Sequence, residues 1–220
     1  MFLTLFGAPG SGKGTQAAYL MERFGLPPIS TGNLLRDEAA AGTEVGLLAK
    51  TYMDRGELVP DEVIMEVFRR RLVQPGVDRG VLFDGFPRTV RQAEELDRML
   101  KGMGKKMDSV IFIHVPPEEL VTRLSGRLTC PSCGRTYHPL LAPPREPGLC
   151  DRDGDRLTQR EDDNPQTARH RVTVYLERTV PVLEYYRKKG LVSEVDGRGE
   201  IEEVRRRIMD VIEAREGGGA

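Results

Sequence analysis

The chain has 220 residues, 39% of them hydrophobic, so it can bury a core and does not have the composition of a disordered protein. Its 33 Lys and Arg residues balance 34 Asp and Glu residues, and this near-neutral charge argues against an overall nucleic-acid or membrane-surface binder. No apolar run is long enough to span a membrane, and three cysteines cannot all pair within the chain. We therefore expect one large domain that can carry inserted subdomains, in the cytoplasm with its thiols reduced.

A glycine-rich loop follows the first apolar run. That run, MFLTLF at 1–6, has no basic segment and leads straight into the loop, so it predicts a core strand and not a signal peptide. The loop, GAPGSGKGTQ at 7–16, matches G-x-x-x-x-G-K-[ST] except that Gly14 replaces the hydroxyl residue, which arrives as Thr15. Behind it, apolar residues recur at helical spacing: Ala17, Leu20, Met21 and Phe24.

This strand, loop and helix predict a phosphate site, with backbone N–H groups and a helix N-terminus around one point and Lys13 as the charged contact. The alternative is an ordinary glycine-rich turn with a chance lysine. Three glycines, the lysine and both flanking elements are all in register, which favours the phosphate site.

Helices and strands then alternate along the chain. A short extended segment at 27–30 leads into a small helical insertion at about 30–59, and the next helix starts at Pro60 with Asp61 as its N-cap. A buried strand at 81–84 ends in Asp84. A helix at about 89–103, a buried strand at 110–115 and a helix opening at Pro117 continue the pattern. Such alternation predicts a parallel sheet with right-handed crossovers.

The alternation stops between 128 and about 163, a segment rich in proline that contains all three cysteines. Helix is predicted again from Pro165 toward Tyr186, with Pro181 breaking it and starting a second helix. A last strand at 191–195 and a last helix at 200–214 follow, and the tail at 217–220 is predicted to be loose.

Cysteines and a carboxylate in the irregular segment predict a metal site. Cys130 and Cys133 form a C-x-x-C, and Cys150 with Asp153 forms a C-x-x-D. Three thiolates and one carboxylate can complete a closed, structural tetrahedral site, which would stabilise a segment with so little apolar content. The open alternatives are a Cys130–Cys133 disulfide or redox pair, inert thiols, and three rival fourth ligands: His138, Asp151 and Asp155.

Arginines recur at the ends of predicted elements: Arg36, Arg88, Arg123, Arg127, Arg160 and Arg171. Their planar forks match phosphate oxygens bidentately. Each alone would be interpreted as a solvated surface charge, but beside the glycine loop and GFPR at 85–88 the set predicts a second anion site. Asp84, at the end of a buried strand, is placed like a magnesium-associated aspartate, and its alternative role is to cap a loop or helix.

Together these motifs resemble those of the adenylate kinases, specifically the long, zinc-containing bacterial type. The resemblance extends to about residue 212 and rests on segments that occur in order: GAPGSGKGTQ at 7–16, STGNLLR at 30–36, GELVPD at 56–61, DGFPRT at 84–89, GR at 126–127, CPSCGRTYH at 130–138, TQREDD at 158–163 and VDG at 195–197. Several motifs in order are far more specific than the glycine loop alone.

The resemblance implies a P-loop NTPase-type three-layer α/β fold with a five-stranded parallel sheet. It also implies a core domain (1–29, 60–125 and 164–220), a helical insertion that binds the nucleoside monophosphate (30–59) and a mobile, zinc-clamped lid (126–163). Closure of this lid over the substrates is a known property of the family and is carried over with it.

The resemblance also assigns site residues by position. The ATP contacts that it implies are Gly10, Ser11, Gly12, Lys13, Gly14, Thr15, Arg123, Arg127, Thr136, Tyr137 and Gly199. The AMP contacts are Thr31, Arg36, Glu57, Leu58, Val59, Gly85, Phe86, Pro87, Arg88, Gln92, Arg160 and Arg171. The catalytic residues are Lys13, Asp84, Arg88, Arg127, Arg160 and Arg171. The zinc ligands are Cys130, Cys133, Cys150 and Asp153, the last standing where many relatives have a fourth cysteine.

The implied activity is reversible, Mg²⁺-dependent phosphoryl transfer from ATP to AMP, giving two ADP, by a cytoplasmic monomer that binds neither nucleic acid nor membrane. One open alternative is a kinase for UMP, CMP or GMP, because base preference depends on one or two hydrogen bonds. The other is a nucleotide-gated protein whose zinc knuckle holds nucleic acid. The knuckle does carry arginines and a tyrosine, but acidic residues at 146, 151, 153 and 155 offset them.

Overall fold

The computed structural model describes residues 1–217, so the loose tail predicted from 217 onwards lies outside the described residues except for Gly217, which ends the last helix. Five parallel strands form the central sheet in the order β2-β3-β1-β4-β7. These strands are β1 (Phe2–Phe6), β2 (Pro28–Ser30), β3 (Val81–Asp84), β4 (Ser109–His114) and β7 (Val192–Asp196). The predicted parallel sheet is confirmed.

Nine α-helices connect the strands within the described residues: α1 (Lys13–Phe24), α2 (Thr31–Ala40), α3 (Glu44–Asp54), α4 (Asp61–Leu72), α5 (Val90–Gly102), α6 (Pro117–Ser125), α7 (Pro165–Val174), α8 (Val180–Arg187) and α9 (Ile201–Gly217). The central strand β1 is buried on both faces, as its continuous apolar sequence predicts.

Side chains of β1 alternate between two apolar clusters. Leu3 and Leu5 pack in one cluster with α1 and α9. Phe2 and Phe6 pack in the other with α4, α5 and α8. Helices therefore cover both faces of the sheet, which gives the three-layer α/β architecture.

The insertion between β2 and α4 consists of two helices packed closely together. A Cβ on Gly46 would lie 2.1 Å from the carbonyl carbon of Glu38, so α3 can approach α2 only with glycine at this position. Thr43 caps α3 by accepting a hydrogen bond from the Gly46 N–H at 3.0 Å. The prediction that Asp61 is an N-cap was wrong: Pro60 holds that position, and Asp61 is the first residue of α4. The Asp61 carboxylate instead accepts hydrogen bonds from the side chains of Gln92 in α5 and of Thr89, the N-cap of α5.

The segment between α6 and α7 has its own small two-stranded antiparallel sheet, β5 (Leu128–Thr129) with β6 (Thr136–Tyr137). Its buried side chains, Cys130, Tyr137 and Cys150, form an apolar cluster separate from the two that cover the central sheet. So small a cluster contributes little hydrophobic stabilisation, which agrees with the predicted need for a metal.

The second helix predicted to start at Pro181 is confirmed, because α8 begins at Val180 with Pro181 as its second residue. The predicted break before it is instead one turn of π-helix, Tyr175–Thr179, which links α7 to α8. Because proline cannot donate the backbone bond that an α-helix needs, a local change of helical period absorbs the defect. Among the described residues, no helix has both the length and the apolar content needed to cross a membrane.

Candidate active site and metal site

The glycine loop joins β1 to α1 at the carboxyl edge of the sheet. Gly12 stands at the N-cap of α1 with φ of 90°, a conformation that favours glycine. At Gly7, a Cβ would lie 2.7 Å from the carbonyl oxygen of Ile113, so the loop can pack against the end of β4 only without a side chain there. The predicted ATP contacts of this region lie together in the loop and the first turn of α1: Gly10, Ser11, Gly12, Lys13, Gly14 and Thr15.

Lys13 folds back over the loop that it follows. Its Nζ donates hydrogen bonds to the carbonyl oxygens of Gly7 and Ala8, both at 2.7 Å. Burial lowers the pKa of Lys13 from its ordinary value near 10.5 to about 7; Asp84 opposes this shift, and three arginines reinforce it. Because burial disfavours the charged lysine, an anion placed there would stabilise its charged form.

We expect nucleotide binding at pH 8 to be accompanied by proton uptake at Lys13. With a folded-state pKa of about 7, the free protein holds this lysine mostly neutral at pH 8, and the phosphates raise the pKa and restore the proton. Calorimetric titration with ATP in buffers of different ionisation enthalpy measures the uptake, and Lys13→Met should abolish it. An equal binding enthalpy in all buffers would contradict the prediction.

Stability follows the same linkage. Between pH 7 and about 10.4, Lys13 is protonated in the unfolded chain and mostly neutral in the folded chain. Because the unfolded chain binds the extra proton, Lys13 makes the free energy of unfolding rise with pH through that range.

A second cluster lies at the end of β3, where Asp84 is close enough to Lys13 to oppose the lowering of its pKa. Asp84 accepts a hydrogen bond from the Ser30 hydroxyl at 3.3 Å. The carbonyl oxygen of Gly85 accepts from the Thr31 hydroxyl at 3.1 Å and from Nε of Arg88 at 2.7 Å. These bonds aim the Arg88 guanidinium from the same loop that carries the other predicted AMP contacts, Phe86 and Pro87.

Gln92 is almost fully buried behind this loop. Its Nε2 donates to Oδ1 of Asp61 at 2.7 Å, and its Oε1 accepts from the Arg88 N–H at 2.7 Å. An amide carries two donor hydrogens and two acceptor lone pairs, so one of each remains for a base. Asp61, predicted from the sequence as a helix cap, is instead the group that orients Gln92.

Two buried aspartates hold arginines from both ends of the irregular segment. Arg127 binds Asp163 bidentately, Nε to Oδ2 at 2.7 Å and Nη2 to Oδ1 at 2.5 Å. Arg171 donates to Oδ1 of the same Asp163 at 2.8 Å and lies 2.9 Å from Oδ2 of Asp162. Sequence reasoning gave neither aspartate a role; the only signal was their position two and three residues after Arg160.

The arginines crowd one another. Burial, with Arg171 adding to it, lowers the pKa of Arg88 to about 10, and burial with Arg36 and Arg127 lowers the pKa of Arg160 to about 9. Burial lowers the pKa of Arg36 as well. All of these groups remain charged at pH 7. Burial is the largest cause of each shift and neighbouring arginines add to it, so a polyanion bound here would stabilise these cations.

The remaining predicted nucleotide contacts lie in three other parts of the structure. Arg123 donates to the carbonyl oxygen of Gly197 at 3.1 Å, which places it beside the loop that contains Gly199. The loop holding Glu57, Leu58 and Val59 follows Gly56, where a Cβ would lie 2.8 Å from Cγ of Arg171. Thr136 pairs with Thr129 in the small sheet. The Tyr137 ring is buried in the small apolar cluster with Cys130 and Cys150.

The four predicted metal ligands do converge. One ligand atom from each of Cys130, Cys133, Cys150 and Asp153 lies within 4.8 Å of all the others. The three thiols are free, and the sulfurs of Cys133 and Cys150 are 3.5 Å apart, well beyond a disulfide bond of about 2.05 Å. The set of donors and their spacing fit a closed tetrahedral site.

The rival fourth ligands are engaged elsewhere. Nδ1 of His138 accepts from the N–H groups of Leu140 and Leu141, both at 3.2 Å. Asp151 accepts from the Arg145 N–H, and Asp155 accepts from the Ser132 hydroxyl. None of the three belongs to the cluster of converging ligand atoms, so Asp153 is the favoured fourth ligand.

Comparison with known proteins identifies the family. The sequence model of the adenylate kinase family matches residues 5–191. An adenylate kinase of Archaeoglobus fulgidus is 51% identical over 213 residues, 97% of this chain and 98% of that protein. An adenylate kinase of Oceanobacillus iheyensis is 47% identical over 98% of this chain and 100% of its own length. With a family match over most of its length and relatives that align almost end to end, the chain belongs to the adenylate kinase family.

Proposed function

We propose that this protein catalyses the reversible reaction ATP + AMP = 2 ADP. One observation supports the proposal beyond the family match. A lysine, five arginines and three carboxylates from separate parts of the chain lie close enough together for their charges to act on one another. The cations are Lys13, Arg36, Arg88, Arg127, Arg160 and Arg171, and the carboxylates are Asp84, Asp162 and Asp163. This excess of positive charge suits two phosphate chains held head to head.

The charges account for the chemistry. The acceptor is a phosphate oxygen of AMP that is already an anion, so no general base is required. The protein must hold two mutually repelling polyanions in line and stabilise the charge on the transferring group. Lys13 and the glycine loop hold the donor phosphates, and Arg36 and Arg88 hold the acceptor phosphate. Arg127 and Arg171, oriented by Asp163, stabilise the group between them.

Mg²⁺ enters with ATP and would neutralise part of the phosphate charge. Asp84 is the carboxylate best placed to serve it, because it ends a buried strand beside Lys13. Residues 30–59 and 126–163 act as covers that exclude water from the transfer. These two segments are in contact, which supports the proposal. Lys50 of the first segment forms an ion pair with Glu161 of the second, with Nζ and Oε2 2.8 Å apart.

A coupled assay with AMP, UMP, CMP and GMP as acceptors tests the function. AMP is expected to be preferred, because the free amide capacity of Gln92 and the hydroxyl oxygen of Thr31 can serve an adenine edge. Gln92→Ala should narrow the preference for AMP over GMP while leaving ATP affinity unchanged. Equal turnover with a pyrimidine acceptor would favour the kinase for another monophosphate.

We further propose that Zn²⁺ occupies the site formed by Cys130, Cys133, Cys150 and Asp153. Elemental analysis should give about one zinc per chain, and chelation should lower the melting temperature, because metal binding supplies folding free energy to a segment with a small core. The double variant Cys130→Ser/Cys133→Ser is the matched control, since chelator should have no further effect on it. A metal-free protein that is fully active and equally heat-stable would contradict a structural zinc.

The protein is proposed to act as a cytoplasmic monomer on free nucleotides, without nucleic acid or membrane partners. A formal net charge of −1 supports the absence of nucleic-acid and membrane partners, and the resemblance to the family supports a monomer. Filter binding of RNA at low salt is the discriminating test for the nucleic-acid alternative, because basic binders retain RNA most strongly there.

A further inference from the structure

Tyr137 occupies an unusual position in the small sheet of residues 126–163. Its phenol oxygen lies 3.4 Å from Sγ of Cys150, and the N–H of Asp151 donates to the same oxygen at 2.9 Å. The side chain is 5% exposed. A metal-bound Cys150 would be a thiolate with no hydrogen to donate, so in the occupied site the Tyr137 hydroxyl is the donor to the sulfur.

A zinc site of this composition needs donors around it. Three thiolates and one carboxylate bring four negative charges to the two positive charges of Zn²⁺. Backbone N–H groups supply part of the compensation: Cys133 donates to Sγ of Cys130 and Arg152 to Sγ of Cys150, both at 3.5 Å, and Asp155 to Oδ1 of Asp153 at 3.2 Å. Across residues 1–217, Tyr137 supplies the only hydroxyl hydrogen-bonded to a ligand sulfur.

The surroundings of Tyr137 strengthen its hydroxyl as a donor. The Arg135 guanidinium lies over the ring, 5.5 Å from its centroid, and a cation there draws electron density from the phenol. A hydroxyl that accepts one bond also donates a stronger one, because chained hydrogen bonds polarise each other. Both effects act on the hydrogen that faces Cys150.

We propose that Tyr137 is a positioning residue of the metal site, whose hydroxyl donates a hydrogen bond to the Cys150 thiolate and so orients that ligand and raises the affinity for zinc. The proposal rests on the metal site proposed above. It also means that the Tyr137 side chain is committed to the metal, which leaves only its backbone for a nucleotide contact.

The test compares wild type with Tyr137→Phe, which removes the hydroxyl and keeps the ring in the small core. Competition for zinc with a chromophoric chelator should show a loss of affinity of about 10- to 100-fold, the usual effect of removing a partner of a metal ligand. In the Co²⁺-loaded proteins, the sulfur-to-metal charge-transfer band of the variant should move to longer wavelength, because a thiolate that loses a hydrogen bond holds its electrons less tightly.

Tyr175→Phe is the matched control, because the Tyr175 hydroxyl is buried without a partner within the described residues and lies outside the small sheet. It should change neither zinc affinity nor the Co²⁺ spectrum. Unchanged affinity and spectrum in Tyr137→Phe would overturn the role of Tyr137 while leaving the metal site intact, whereas a wild-type protein that binds neither Zn²⁺ nor Co²⁺ would overturn the site itself.

A measurement on the wild type covers the case in which Tyr137→Phe fails to fold. In protein loaded with ¹¹³Cd²⁺, the Tyr137 hydroxyl proton should exchange slowly and show a correlation to the metal through the Cys150 sulfur. A rapidly exchanging hydroxyl without this correlation would overturn the proposal.

Discussion

Replacing Arg88 by alanine is expected to lower turnover by two to three orders of magnitude or more while the fold survives, on the scale of removing one buried donor to a developing charge, about 3–4 kcal/mol. The folded protein should not lose stability, because Arg88 is buried among like charges, with Arg171 the strongest of them. Steady-state kinetics and thermal unfolding, measured without nucleotide, check the two halves of this expectation.

Arg91→Ala is the matched control for Arg88. Arg91 lies one turn further on, its side chain is 67% exposed, and it pairs with Glu62 on the surface, so its removal should leave turnover unchanged. Arg88→Lys should recover only part of the activity, because an ammonium cannot bind a phosphate through two parallel bonds. An Arg88→Ala enzyme with unchanged kcat would refute the proposed role.

Replacing Asp163 by asparagine is expected to reduce stability and turnover together. Asp163 is fully buried and receives hydrogen bonds from both Arg127 and Arg171, so the neutral side chain leaves two partly buried guanidinium groups under-compensated. Breaking a buried pair from one side costs about 3–5 kcal/mol, which for a chain of this size lowers the melting temperature by roughly 6–20 °C. Turnover should fall about 100-fold as the two arginines lose their common anchor.

Bound nucleotide should restore part of the lost stability of Asp163→Asn, because phosphates then supply the missing negative charge. Glu161→Gln is the control: Glu161 is two residues earlier, 79% exposed, and paired only at the surface with Lys50, so it should cost about 1 kcal/mol or less. An Asp163→Asn protein as stable and as active as wild type would show that the arginines are oriented by something else.

The elements of the fold could be predicted because their signals are local. An apolar run, a glycine loop and residues at helical spacing specify β1 and α1 with no knowledge of the rest of the chain. Pro181 correctly predicted the start of α8 but not how α8 joins α7, because a π-helical turn satisfies the backbone as well as a break would.

Cysteine spacing predicted the metal site but left its fourth ligand open. Asp151, Asp153 and Asp155 are equivalent along the chain, two residues apart. Only the turn after Cys150 separates them, because it directs Asp153 toward the sulfurs and its two neighbours toward other partners.

The sequence by itself determined the family, the parallel sheet, the phosphate loop and which arginines and cysteines to consider, because these follow from residue types at fixed spacings. Tertiary structure alone decided which groups those residues face. The contacts of Asp163 with Arg127, of Asp61 with Gln92 and of the Tyr137 hydroxyl with Cys150 join side chains that are 13 or more positions apart. No local pattern encodes such contacts, since they exist only once the helices and the small sheet have packed and excluded water from the groups between them.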